Sequence, residues 1–259
     1  MRMYLASVSS LRDYHFGLLP KIKYALESFL TVKRWMLKYI QNEWKDTFML
    51  DSGAASLIYK KKSNVSYDTF LKYTNEYIEF IAKYDITHFF EMDVDVVIGL
   101  SAVEKLRDHI EKETGKKTIP VWHPERGKDY YVNMCKEYPY VAIGGLSMVG
   151  TMGKDDQHRI ADSLRWFANT AHKHGAKLHV LGISNTGDFQ ITGLDSVDCT
   201  TWLSAGKYGR LMKFDGTKIV TLPARPHRGI SWNEMTRGNL IEWIKFQHYA
   251  DSLVVRSVN

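Results

Sequence analysis

Short apolar runs alternate along this chain with longer segments whose apolar positions recur at helical spacing, the pattern of parallel strands covered by helices. Eight runs read as strands: Met3 to Val8, Lys23 to Phe29, Thr47 to Leu50, His88 to Asp93, Thr118 to His123, Tyr140 to Leu146, Lys177 to Ile183 and Ser196 to Trp202. Between them, Asp68 to Tyr84 carries Phe70, Leu71, Thr74, Tyr77, Ile78 and Ile81 on one helical face. A second helix opens at Ser101 with Glu104 three residues on, a capping-box pattern. It buries Val103, Leu106 and Ile110 and stops at Gly115. A third runs from about Asp156 to His174, with Ile160, Leu164, Phe167 and Ala171 inward and Gly175 at its end. The connections Ser9 to Ile22 and Thr31 to Asp46 carry the weakest signal, the first turn-like with Gly17 and Pro20.

Eight strands with helical crossovers predict a closed (β/α)8 barrel of the TIM type, because parallel connections need a crossover and closure leaves no open edge. An open, doubly wound sheet is the alternative. After Trp202 the pattern changes: Arg210 to Phe214, Asp215-Gly216 and Lys218 to Leu222 read as a β-hairpin. An amphipathic helix over roughly Asn239 to Leu253 then completes the outer layer. There is no internal repeat or linker, and 259 residues suit one barrel domain, which commonly runs at about 250.

Composition changes this picture little. Hydrophobic residues at 44% and charged residues at 25% are ordinary for a globular protein with a large core. The net charge of +6 and pI near 9.1 favour polyanionic partners, although a solvated basic surface accounts for them equally well. Cys135 and Cys199 are too few for a disulfide scaffold or a cysteine-based zinc site. The apolar run at Met1 to Ser10 is too short, and too soon followed by Arg12 and Asp13, for a secretory signal. No stretch approaches the roughly 18 apolar residues of a membrane span. The expectation is a soluble, reduced, cytoplasmic protein.

In such a barrel the chemistry lies at the C-terminal ends of the strands. Asp51 ends Phe48-Met49-Leu50; Glu91, Asp93 and Asp95 end the fourth run; Asp198 lies in Val197-Asp198-Cys199. One acid at a strand end is ordinarily a loop or helix cap, but acids at three strand ends are harder to explain that way. Glu91, Asp93 and Asp95 alternate onto one face of an extended segment, where like charges raise one another's pKa unless a cationic or donor-rich ligand separates them. A guanine edge, with N1–H and an exocyclic amine, is such a ligand. Asp93 is the first choice for reading it, Asp95 the second, with Glu91 packed inside the barrel. Gly144-Gly145 after the sixth run removes side chains where a flat ligand meets backbone amides, though a tight turn needs the same residues.

Five segments, in order and at approximately the right spacing, resemble the tRNA-guanine transglycosylase superfamily. They are Asp51-Ser52-Gly53, Ile143-Gly144-Gly145-Leu146-Ser147, His158-Arg159-Ile160-Ala161-Asp162, Val180-Leu181-Gly182-Ile183, and Asp198-Cys199 followed by Gly206 to Leu211. The resemblance spans roughly Phe48 to Met212. It implies that Asp198 attacks the sugar C1′ and holds it covalently while guanine leaves, and that Asp51 moves protons at the base nitrogen. It further implies that Asp93 reads the guanine N1 and amine edge, that Gly145 donates to the base carbonyl, that Leu146 lines the pocket, and that Leu181 packs on the base. His123 stands where a glutamine commonly assists at the carbonyl. Attack by a carboxylate with a second acid handling the proton divides a hard exchange into two displacements. Two displacements retain configuration. No cofactor or metal is implied.

Two departures stand out. The zinc subdomain of the tRNA enzymes is missing from the sequence, and Ala54 and Ala55 occupy the stretch where an aromatic often stacks on the base. Stacking then falls to Trp122, Trp202 or Phe90. A reduced barrel of this kind is similar to the 7-deazaguanine DNA transglycosylases of bacteria and their phages, which implies DNA and a free 7-deazaguanine base as substrates. Such an enzyme must extrude the nucleotide or act on an opened strand. Candidate phosphate contacts are Lys207 and Arg210, just beyond Asp198, and Lys60, Lys61, Lys62, Arg225 and Arg228. Three alternatives remain: the same exchange on tRNA, a catalytically inactive nucleic-acid-binding barrel, and a metal-dependent hydrolase. The last would pair histidines at strand ends, where among ten histidines only His123 is well placed.

Overall fold

The computed structural model describes residues 1–61, 66–144, 154–183, 193–222 and 229–252, with side chains for all of these except 13–16, 59–61, 154–160 and 207. Eight parallel strands form its centre: β1 (Arg2–Ala6), β2 (Ala25–Ser28), β3 (Phe48–Asp51), β4 (His88–Phe89), β5 (Val121–Trp122), β6 (Tyr140–Ile143), β7 (Lys177–Val180) and β8 (Ser196–Cys199). Their order is β4-β3-β2-β1-β8-β7-β6-β5, and a parallel bridge between Phe90 and Ile119 joins the two ends of the sheet. Ile119 N–H donates to Phe89 O at 2.8 Å and Glu91 N–H to Ile119 O at 3.2 Å. The sheet is thus a closed (β/α)8 barrel, and every predicted strand contributes to it.

Period-two alternation sorts the strand residues onto two faces. Tyr4, Tyr24, Leu26, Met49, Phe90, Val121, Tyr140 and Ala142 pack together inside the barrel, with Leu181 against them. In chain order the helices between the strands are α1 (Leu37–Gln41), α2 (Ala54–Lys61), α3 (Tyr67–Tyr84), α4 (Asp95–Ile98), α5 (Leu100–Thr114), α6 (Lys128–Glu137) and α7 (Lys154–Lys173); the other face packs on α3, α5, α6 and α7, of which α3, α5 and α7 are those read from their apolar stripes. Phe70, Tyr77 and Ile81 of α3 and Val103, Leu106 and Ile110 of α5 are fully buried.

The weak connections are indeed short: 3₁₀ turns at Val8–Ser10 and Asp13–Lys21 follow β1, and Leu37–Gln41 is a single helical turn after β2. They contribute Leu19, Ile22, Met36 and Trp44 to the outer core. The last helix, Trp232–Ser252, packs against β1. Its buried Gln247 donates from Nε2 to Met3 O and Tyr24 O and accepts Lys23 N–H on Oε1, at 2.6–2.8 Å. A two-stranded hairpin, Met212–Phe214 with Ile219–Thr221, precedes that helix.

The capping box at Ser101 does not form. A short helix, Asp95–Ile98, runs through Gly99 into α5, so the cap position falls on Gly99, and Glu104 instead accepts from the Tyr130 hydroxyl at 2.9 Å. Among the described residues, no helix is long and apolar enough to cross a membrane.

Candidate active site

The inward positions at the C-terminal ends of the strands form the top layer of the barrel. Parallel registers place Asp51 level with Ser28, and Asp198 level with Tyr4. Asp51 closes β3 and turns into Ser52-Gly53, where Gly53 N–H donates to Asp51 Oδ2 at 3.0 Å. Tyrosines of α3 brace this turn from outside: Tyr73 donates to Ser52 O, and Tyr77 to both Leu50 O and Phe90 O at 3.0 Å. Burial pushes the Asp51 carboxyl up to about 7, the nearby charges of Asp93 and Asp198 push the same way, and the Gly53 amide opposes them. Three acids from three strand ends are therefore close enough to feel one another.

Only glycine fits the Asp51 turn. Gly53 sits at φ +70°, and a Cβ there would lie 2.4 Å from Ser28 Oγ and 3.0 Å from the Tyr73 hydroxyl. Gly53→Ala is expected to lower the unfolding free energy by about 2–3 kcal/mol, combining left-handed strain with overpacking. Denaturant melts measure this; unchanged stability would mean that Ser28 and Leu30 yield without cost.

The acids of the fourth strand separate into two roles. Glu91 is fully buried, bonded by Arg107 Nη1 at 3.1 Å, Arg126 Nη1 at 2.7 Å and Val121 N–H at 2.8 Å. Asp95 begins a helical turn and pairs with Arg126 Nε at 2.9 Å, an ion pair that holds its carboxyl below the ordinary range against the effect of burial. The expectation that a ligand keeps these acids apart is corrected for two of them: the chain's own Arg126 lies between Glu91 and Asp95. Asp93 alone retains a part-exposed carboxylate on the site side, 3.5 Å from His123 Nε2. Burial lowers the His123 pKa, but the bond to Asp93 and the charges of Asp93 and Asp95 outweigh it, so the net shift is upward.

The His123 ring packs closely on the backbone of Gly144, just after β6. A Cβ on Gly144 would meet His123 Cε1 at 2.5 Å, so the first glycine of the pair makes room for this ring. Leu181 is half-buried and packs against the interior cluster. Trp122 and Trp202 do not serve for stacking. Both point outward, Trp122 among Tyr131 and Phe167 with Nε1–H on Gly127 O at 2.7 Å, and Trp202 with Nε1–H on Ala6 O at 3.0 Å. Phe90 lies lower in the barrel against His179.

Asp198 is the penultimate residue of β8, with its side chain inward and about 10% exposed. Oδ1 receives two donors: the amide of Gly182 at 3.0 Å and His179 Nε2 at 3.2 Å. Gly182 aims its N–H there from φ +74°. Oδ2 has no partner among the described residues. His179, fully buried on β7, corrects the view that His123 is the one well-placed histidine. Its signal was available: His179 and Leu181 share one face of a strand, as do Ser196 and Asp198.

Arg210 is exposed beyond the helix Thr201–Lys207, and its carbonyl is held by Asn239 Nδ2 at 3.1 Å. Gly145, Leu146, Ser147, Lys62, Arg225 and Arg228 lie outside the described residues, as do the side chains of Lys60, Lys61, Lys207, His158 and Arg159. Among the described residues no group of three or more His, Cys, Asp or Glu is placed to hold a metal ion.

No protein-family model matches the chain, and no curated protein matches it. Among solved structures, a thiamine phosphate pyrophosphorylase from Pyrococcus furiosus is similar over 95% of this chain and 96% of its own, at 9% identity and a TM-score of 0.44.

Proposed function

We propose that this barrel is a pentosyl-transferring enzyme that exchanges guanine in DNA for a free 7-deazaguanine base, with Asp198 as nucleophile and Asp51 as the proton carrier. The observation that carries the reading is the different environment of two carboxyls that feel each other's charge. Asp51 stands at about 7, able to give and take a proton near neutrality, while Asp198 has one oxygen held by two N–H groups and the other without a partner among the described residues. In the first displacement Asp198 Oδ2 bonds to the sugar C1′ as the C1′–N bond breaks. Its electron pair leaves with the base, and Asp51 delivers the proton that the departing guanine takes up. In the second, the incoming base gives its proton to Asp51 as its nitrogen displaces the carboxylate. The same sequence of bonds serves a tRNA substrate. The binding-only and metal-hydrolase alternatives account less well for this pair, since neither needs a proton carrier near a carboxylate that is held by one oxygen.

Asp93 is the group in this reading that accepts from the base edge, because Glu91 and Asp95 are already occupied by arginines. Asp93→Ala is expected to weaken binding of guanine and of 7-deazaguanine by about 2–4 kcal/mol while the fold remains intact, the cost of losing a carboxylate that takes two hydrogen bonds. Calorimetry checks it, and unchanged affinity would remove Asp93 from base recognition. The function as a whole is tested by incubating the purified chain with labelled guanine and either duplex DNA, opened DNA or tRNA. Incorporation into DNA alone supports the reading, incorporation into tRNA alone moves the enzyme to that polymer, and incorporation into none removes base exchange.

A further inference from the structure

We infer that His179 is a positioning residue for Asp198, the last link of a buried chain Tyr140–Ser196–His179–Asp198 that dedicates one carboxylate oxygen to holding and leaves the other for the sugar. The inference rests on the reading of Asp198 as nucleophile. The chain crosses the barrel interior over three neighbouring strands: Tyr140 of β6 shares a hydrogen bond with Ser196 Oγ of β8, Ser196 Oγ lies 2.6 Å from His179 Nδ1 of β7, and His179 Nε2 lies 3.2 Å from Asp198 Oδ1. His179 and Ser196 are fully buried and Tyr140 nearly so. Phe90 and Tyr4 pack against the imidazole with ring centroids at 5.5 Å and 5.8 Å, fixing its plane.

Proton accounting gives the chain a direction. An ionised Asp198 only accepts, so Nε2 carries a hydrogen and donates. With imidazole neutral, Nδ1 accepts from the Ser196 hydroxyl, and Ser196 Oγ accepts from the Tyr140 hydroxyl. Every hydrogen along the chain then has an acceptor. A proton on Nδ1 would make Ser196 Oγ its acceptor and leave either the Ser196 or the Tyr140 hydrogen with no acceptor among the described residues. Ser196, His179 and Asp198 also have the composition of a nucleophilic triad, but Ser196 Oγ is buried and engaged on both sides, so no substrate carbon reaches it.

The arrangement matters most when the sugar leaves Asp198. While Oδ2 is esterified to C1′, Oδ1 is the ester carbonyl oxygen. As the incoming base nitrogen bonds to C1′, the C1′–Oδ2 bond breaks and its electron pair returns to the carboxylate, which shares the charge with Oδ1. The His179 and Gly182 N–H groups already point at Oδ1 and stabilise that charge without rearranging.

The test has three arms on the full chain. Wild-type exchange of labelled guanine, lost in Asp198→Asn, establishes the underlying reading; if exchange survives Asp198→Asn, that reading fails whatever His179 does. Second, long-range 1H–15N spectra of protein labelled in histidine report the His179 tautomer without any need for activity. The Nε2–H form is expected, with a shift of its resonance in Ser196→Ala; an Nδ1–H form, or no shift, overturns the chain. Third, His179→Leu is expected to lower kcat by ~100-fold while KM for the free base changes less than about threefold, and His179→Gln, whose amide can still donate to Asp198, recovers roughly tenfold of the loss. If His179→Leu does not fold, Ser196→Ala carries the kinetic comparison with an expected loss of ~10-fold in kcat. Full kcat in either variant overturns the proposal.

Discussion

Asp198→Asn is expected to abolish base exchange, by at least ~1,000-fold in kcat, while the protein keeps its melting temperature and its affinity for the free base. The substitution is chosen from the geometry. Oδ1 accepts from His179 and Gly182, and an asparagine carbonyl oxygen accepts the same two bonds, so the held side of the group is unchanged. Only Oδ2, the oxygen without a partner among the described residues, becomes an amide nitrogen that cannot attack carbon. Denaturing the wild-type enzyme during turnover with guanine-containing DNA and a slowly exchanging base analogue is expected to give a DNA-linked peptide containing Asp198. An adduct on Asp51 instead, or exchange by Asp198→Asn at the wild-type rate, would reverse the two roles.

The second large effect concerns stability and pH. The Asp51 carboxyl titrates at about 7 in the folded chain and at the ordinary 3.8 when unfolded. Between those values the folded state holds a proton that the unfolded state has released, so stability falls as pH rises through this window and the loss is complete above pH 7. Asparagine carries no charge to desolvate. Asp51→Asn is therefore expected to be more stable than wild type at pH 8 by up to about 4 kcal/mol, with the difference vanishing toward pH 4. Chemical denaturation at both pH values measures it; an equal difference at both would mean that Asp51 is not held protonated by its surroundings. The same variant is expected to lose ~100-fold or more in exchange rate, together with the pH dependence centred near 7, because proton delivery to the base is gone. A gain in stability with a loss in rate separates a strained functional group from one retained for folding.

The sequence determined the barrel. Strand identity follows from short apolar runs, and the inward or outward direction of each residue follows from strict alternation, both local properties of the chain. They put Asp51 and Asp198 inward at strand ends, and read carefully they also put His179 beside Leu181 and turned Trp122 away from the site. Alternation could not say which side chain on one strand is level with which on another, because that is fixed by the stagger of the closed sheet and by long side chains reaching across it. Arg107 and Arg126 come from α5 and from the turn after β5, not from the strands, and they decide that Glu91 and Asp95 are paired to arginine while Asp93 faces only His123 among the described residues. Likewise Ser196, an ordinary serine two residues before Asp198, acquires its place only because β6, β7 and β8 lie side by side and set Tyr140, His179 and Asp198 within hydrogen-bond reach. Directions were written in the local pattern; partners required the register, which no segment carries by itself.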